Sequence, residues 1–99
     1  METQIDRIRK MEEVMDVAAG TLHALKKALE QYSKISGKLR ELETYYTKGQ
    51  WREDFEDDEA GKLPKELKRG VLSEDGIYDL LRFRDEVIAK LAEVAERDR

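Results

Sequence analysis

Apolar residues recur alternately four and three positions apart through the first half of the chain, which is the heptad spacing of a helix that packs along one seam. The regular part of this repeat has seven members: Met11, Met15, Ala18, Leu22, Leu25, Leu29 and Tyr32. The repeat continues back through Ile8 and Ile5, and forward to Tyr46 with a small rotation near Gly37. It predicts one helix over about residues 3–47.

Two glycines, Gly20 and Gly37, lie inside this predicted helix, and each costs about 1 kcal/mol relative to alanine in a helix interior. Neither interrupts the phase of the repeat, so we expect a single helix with Thr3 as its N-cap. Two alternatives stay open: a break into two helices at Gly20-Thr21, and a bend at Ser36-Gly37.

Periodicity is weak over residues 48–72, which we predict to be a long structured loop. Lys48-Gly49 is typical of a helix end, with a basic residue in the last turn and a glycine after it. Pro64 suits the first position of a helix, so residues 65–68 could form one helical turn that Gly70 would end.

A second helix is predicted over about residues 73–96. Ser73 lies where an N-cap is expected, and Glu74 and Asp75 would bring negative charge to the positive end of the helix. Its apolar stripe has nine members: Ile77, Leu80, Leu81, Val87, Ile88, Leu91, Ala92, Val94 and Ala95. No stretch has a convincing strand pattern, so the predicted fold is all-α.

The two predicted helices differ in length, and a long connection joins them. This favours an antiparallel hairpin or bundle within a single domain over residues 1–99. The shorter helix can cover only part of the longer one, so the apolar seam from Met11 to Tyr32 needs another partner. Either the first helix folds back to make three helices, or two chains pair; the heptad repeat favours a homodimer or a helical protein partner.

Composition narrows the possible functions. Charged residues make up 42% of the chain and the net charge is −4, which argues against binding along a nucleic-acid backbone. No cysteine is present, which excludes disulfides, thiolate metal sites and cysteine nucleophiles. No apolar run approaches the roughly 20 residues of a membrane span, and the first residues do not resemble a signal peptide. We therefore expect a cytoplasmic protein.

The residue types that carry chemistry give no catalytic set. His23 is the only histidine, too few for a zinc or haem site, and no nucleophile has a nearby base. We expect no cofactor and no catalytic residues.

Residues 52–59 contain six acids, which suggests two hypotheses. One is a divalent-metal-dependent enzyme, with Arg52 or Arg69 holding an anionic substrate and four carboxylates as metal ligands: Asp54, Asp57, Asp58 and Glu59. The spacing does not fit an EF-hand loop. The other hypothesis is a solvated acidic segment that pairs with the basic residues after it, from Lys62 to Arg69.

Five of the seven aromatic residues fall between Tyr45 and Tyr78. Such a cluster could be a small core that fixes the loop to the helix ends. It could also be a partner-binding surface, because Trp, Tyr and Arg dominate interface hot spots. The candidate partner- or ligand-binding residues are Trp51, Arg52, Asp54, Phe55, Arg69, Asp75 and Tyr78.

Three stretches in this region are the most distinctive: Trp51-Arg52-Glu53-Asp54-Phe55, Gly61-Lys62-Leu63-Pro64 and Arg69-Gly70-Val71-Leu72-Ser73-Glu74-Asp75. With them, the chain closely resembles the bacterial domain-of-unknown-function family 4298 over nearly its whole length. The resemblance implies a small stand-alone bacterial cytoplasmic protein with no assigned activity, and it supplies no catalytic residues. It also implies that the loop, more than the helices, distinguishes the family. The function that we expect is a non-enzymatic helical interaction module.

Overall fold

The computed structural model describes residues 1–99 and confirms the all-α prediction. It contains three α-helices, α1 (Gln4–Lys48), α2 (Trp51–Glu59) and α3 (Gly76–Arg97), one short 3₁₀ turn (Gly70–Leu72), and no strand. The chain divides into two compact units, unit 1 (Met1–Gly37) and unit 2 (Lys38–Arg99).

Helix α1 is continuous over 45 residues and passes through Gly20 and Gly37 without a break. The heptad repeat therefore predicted its extent well, and the alternative of two helices joined at Gly20 is wrong. A reciprocal capping box starts the helix. The Asp6 N–H donates to Thr3 Oγ1 at 3.1 Å, and the Thr3 N–H donates to Asp6 Oδ2 at 3.4 Å.

Unit 1 has no buried residue. Large side chains of the seam keep between 40% and 63% of their surface exposed: Ile5, Ile8, Met11, Met15, Leu22, Leu25 and Leu29. The seam that the sequence predicted is present as a helix face, but no other part of unit 1 covers it.

Unit 2 contains a helix that we did not predict, α2, inside the segment expected to be a loop. Five of its residues are half-buried: Trp51, Asp54, Phe55 and Asp58 at helical spacing, and Asp57 beside them. Because acids occupy half of this inward face, the segment lacks the apolar periodicity by which an amphipathic helix is normally found.

Gly61 ends α2 in a Schellman motif. Its φ is +73°, a left-handed conformation that costs glycine little. The Lys62 N–H donates to the Asp57 carbonyl and the Gly61 N–H to the Asp58 carbonyl, both at 3.0 Å. After it, the Leu67 N–H donates to the Pro64 carbonyl at 3.2 Å, so the predicted helical turn at 65–68 is a single hydrogen-bonded turn.

Helix α3 starts three residues later than predicted, and its N-cap is Asp75 instead of Ser73. Ser73 follows the 3₁₀ turn, and its hydroxyl donates back to the Gly70 carbonyl at 2.9 Å. The 3₁₀ turn itself begins at Gly70, so this glycine starts a helical turn where we expected it to end one. The hydroxyl is thus engaged with the 3₁₀ turn and does not cap α3.

The buried core of unit 2 is small and lies at this junction. Its members are Leu72 (6% exposed), Ile77 (3%) and Leu81 (9%). Leu72 comes from the 3₁₀ turn, while Ile77 and Leu81 lie one turn apart on α3. The core therefore fixes the first turns of α3 against the end of the connecting segment.

Candidate functional site

Three aromatic rings form a cluster at the start of α2. The Trp51 ring stacks on Phe55, one turn later, with centroids 5.0 Å apart, and meets Tyr46 edge-on at 5.0 Å. The indole N–H donates to the Val71 carbonyl at 2.7 Å. This aromatic cluster (Tyr46, Trp51, Phe55) therefore ties α1, α2 and the 3₁₀ turn together within unit 2.

Tyr45 and Asp54 make the second link between α1 and α2. The phenol donates to Asp54 Oδ2 at 2.7 Å. Burial, followed by this hydrogen bond and the negative charge of Asp54, raises the pKa of Tyr45 to about 12. The phenol is thus held neutral as a donor, and Asp54 is occupied as its acceptor.

Arg69 binds three parts of the connecting segment at once. Its Nη1 donates to Asp58 Oδ1 at 2.6 Å, its Nη2 to the Pro64 carbonyl at 2.6 Å, and its Nε to the Leu67 carbonyl at 3.3 Å. Only guanidinium offers this planar fork of donors. The side chain closes the segment after α2 and uses the donors with which it could have held an anionic ligand.

The carboxylates of the metal hypothesis are not brought together. Asp54 accepts from Tyr45, Asp58 from Arg69, and Asp57 lies 3.8 Å from the Lys62 ammonium. Glu59 is exposed, and no group of three or more acidic or histidine side chains in the structure could hold a metal ion. Asp57 and Asp58 instead pair with basic residues that follow them in the chain, Lys62 and Arg69, as the hypothesis of a solvated acidic segment predicts.

The remaining candidates lie outside these contacts. Arg52 is exposed on the outer side of α2, and Asp75 is exposed at the start of α3, where its side chain makes no capping hydrogen bond. Tyr78 is 49% exposed and has the Arg82 guanidinium 5.8 Å from its ring centroid. Tyr78 therefore does not join the aromatic cluster, although the aromatic residues from Tyr45 to Tyr78 suggested one small core.

Sequence reasoning missed one ion pair that joins two helices of unit 2. Arg84 of α3 donates to both carboxylate oxygens of Glu43 in α1, at 3.2 and 3.5 Å, and to Asp85 at 2.9 Å. The hydrogen bonds to Glu43 and then Asp85 raise the pKa of Arg84. A signal was present: Glu43 occupies a seam position of α1, and Arg84 interrupts the stripe of α3 between Leu81 and Ile88. Opposite charges at apolar positions of two helices predict such a pair.

The structure thus presents two different features. Unit 2 contains polar and aromatic side chains that bond to one another, and unit 1 contains an exposed apolar seam. A family described as domain of unknown function (DUF4298) matches residues 8–94. The chain belongs to this family. The DUF4298 match includes both the aromatic cluster and the seam from Ile8 onward. Searches of curated proteins and of solved structures gave no significant match. None of the helices combines the length and apolar character needed to cross a bilayer.

Proposed function

We propose that this DUF4298 protein is a non-enzymatic interaction module that self-associates through the seam of α1 in unit 1. The observation that carries the proposal is the exposure of that seam. A run of large apolar side chains, spaced by heptads from Ile8 to Leu29, lies on one helix face with no cover. Contiguous exposed apolar surface of this kind marks interaction sites in stable soluble proteins.

Helix energetics add a reason why the seam needs a partner. Isolated helices are only marginally stable in water, and most helical stability in proteins comes from packing of an apolar face. Unit 1 is a helix of more than thirty residues with no buried residue. A second helical surface supplies the packing that the chain itself does not provide.

Unit 2 has a different role in this proposal. The polar side chains of unit 2 bond to one another, so we propose that this unit has a structural role and not a catalytic one. The metal-dependent enzyme is not carried forward, because three of its four carboxylates already pair with side chains of the same unit. The setting that we propose is the bacterial cytoplasm, on the basis of the family resemblance.

Sedimentation equilibrium of the purified chain tests self-association directly. We expect a dimer at micromolar concentration, and a Leu22→Glu variant that dissociates. Leu22 is 63% exposed and central in the seam. Losing it from both copies should cost about 3 kcal/mol, which weakens the dimer roughly a hundredfold.

A matched control is His23→Glu, which adds the same charge one residue away and off the seam. It should sediment as the unmodified chain does. A clean monomer at high micromolar concentration for the unmodified chain would contradict the proposal. Equal weakening by both variants would show that added charge, and not the seam, decides the association.

A further inference from the structure

We infer that the occupant of the seam is a second copy of this chain, bound antiparallel, with Leu22 opposite the partner's Ala18. This inference rests on the proposed self-association and specifies its geometry. It is argued from side-chain size, from charge complementarity and from the extent of the uncovered seam.

Side-chain size favours an antiparallel pair. In such a pair the half of the seam that contains Ala18 faces the half made of Ile8, Met15, Leu22 and Leu29, so Ala18 meets a large side chain. Placing Leu22 opposite the partner's Ala18 sets the smallest member of the seam against a large one, so that the layer fills. The layers outward from this centre pair Met15 with the partner's Leu25, then Met11 with Leu29 of the partner subunit, then Ile8 with Tyr32 of the partner subunit.

Charge complementarity selects this register among the antiparallel ones. The seam is flanked on one edge by the residues directly after Met11, Ala18, Leu25 and Tyr32, and on the other edge by the residues directly before Ile8, Met15, Leu22 and Leu29. Only three of these flanking residues are charged: Arg7, Glu12 and Lys26. In the proposed register Glu12 faces the partner's Lys26, and by symmetry Lys26 faces the partner's Glu12. Opposite charges at flanking positions set the orientation and register of paired helices. Shifting the register by one heptad in either direction removes both pairs.

The extent of the overlap matches the uncovered seam. The paired layers run from Ile8 to Tyr32, about 37 Å of helix and three and a half heptads. All of these residues lie in unit 1. If the register is shifted by one heptad toward the end of α1, Ile8 must pack against Leu39 of the partner subunit. Leu39 is already half-buried within unit 2 of its own chain.

A parallel pair is the competing arrangement and makes different contacts. Every seam residue would then face its own copy, so Ala18 would meet Ala18 of the partner subunit and leave a gap in the middle of the seam. Glu12 would face the partner's Arg7, and Lys26 would face the partner's Thr21. The two arrangements can therefore be separated by which residues meet.

Disulfide trapping separates them cleanly because the chain has no cysteine of its own. Met15→Cys and Leu25→Cys proteins, one carrying a size tag, are mixed and oxidised at micromolar concentration. A disulfide needs Cα atoms closer than about 7 Å. The antiparallel register predicts the mixed disulfide between the two variants, with little disulfide in either variant alone. Like-with-like disulfides from each variant alone would overturn it in favour of a parallel pair.

Charge exchange provides a second test that leaves the seam intact. Glu12→Lys and Lys26→Glu each place like charges opposite one another at two points, so each should weaken the dimer about fivefold. The double variant restores both attractions and should regain the original affinity. In a parallel dimer Lys26→Glu faces only threonine and has little effect, and the double variant is no better than Glu12→Lys.

These outcomes keep the two proposals distinct. A dimer that traps like-with-like, or one whose double variant is not rescued, overturns the register while the self-association stands. An unmodified chain that sediments as a monomer, with no disulfide in any mixture, overturns the self-association and the register with it.

Discussion

Arginines at positions 52 and 69 show what can and cannot be predicted for single residues of the candidate site. Arg52 lies between Trp51 and Glu53, and Arg69 lies between Lys68 and Gly70, yet we treated both as candidate ligands of an anion. Arg69 makes three hydrogen bonds within the connecting segment, while Arg52 points away from the contacts of unit 2. The difference arises from the Schellman turn at Gly61, which returns the chain toward α2. No local pattern around either arginine contains that information.

Tyr45 gives a pH-dependent prediction at the residue scale. Its pKa is raised to about 12 in the folded chain, mainly by burial and then by Asp54, against about 10 when unfolded. The folded state therefore holds this proton more tightly. The resulting stability is fully present below pH 10 and is lost as the pH rises from 10 to 12.

Urea unfolding at pH 8, 10 and 11, followed by Trp51 fluorescence, measures this effect. The unmodified chain should lose more stability above pH 10 than a Tyr45→Phe variant, in which the titrating group is absent. Absorbance of tyrosinate provides the control, because the component that appears near pH 12 should be missing in the variant. Parallel stability profiles for the two proteins would show that the Tyr45–Asp54 contact does not govern the proton.

Among the elements, the long helices were predictable and the connecting segment was not. The heptad repeat located α1 to within about a residue at each end because the same face stays apolar over many turns. Helix α2 was missed because its inward face alternates aromatic rings with acids, each of which is satisfied by a distant donor, as Asp54 is by Tyr45. The start of α3 was placed too early because Ser73 has two uses, and the 3₁₀ turn takes its hydroxyl.

The start of α3 gives a prediction at the element scale. A Cβ added to Gly76 would lie 2.5 Å from Ser73 Oγ and 2.9 Å from the Gly70 carbonyl oxygen, so the 3₁₀ turn or the first turn of α3 must shift. Overpacking of this kind costs about 1–3 kcal/mol, so Gly76→Ala should lower the thermal midpoint although glycine-to-alanine changes in helices usually raise it.

Gly20→Ala is the matched control for this change. An added Cβ at Gly20 meets nothing within 4 Å, and the residue lies in the interior of α1. It should stabilise the helix by about 0.5–1 kcal/mol. Both variants are compared with the unmodified chain by circular dichroism at one protein concentration, since association shifts the midpoint. A rise for Gly76→Ala as large as that for Gly20→Ala would mean that the 3₁₀ turn does not constrain the start of α3.

For the whole molecule, the main result is that the two units differ in how much of their surface is packed. Unit 2 holds all three buried residues, the aromatic cluster and the long-range polar contacts, while unit 1 has only a helix face. The sequence predicted that part of the seam lacks cover because the second helix is too short. It did not identify the contacts that hold unit 2 together, such as Glu43–Arg84, because these join residues far apart in the chain.

This difference predicts that dilution of the protein affects the two units differently. Below the dissociation constant of the dimer, unit 1 loses its packing partner and its helix becomes marginal. Helical ellipticity at 222 nm should then fall by up to about 45%, because residues 4–37 of unit 1 make up about 34 of the roughly 76 α-helical residues. Emission from Trp51, the single tryptophan, should stay constant because the ring lies within unit 2 and bonds to Val71. The Leu22→Glu variant should show the diluted spectrum up to concentrations roughly a hundredfold higher than the unmodified chain does, and His23→Glu should follow the unmodified chain. A Trp51 emission shift with the same midpoint as the ellipticity would show instead that unit 2 unfolds together with the seam.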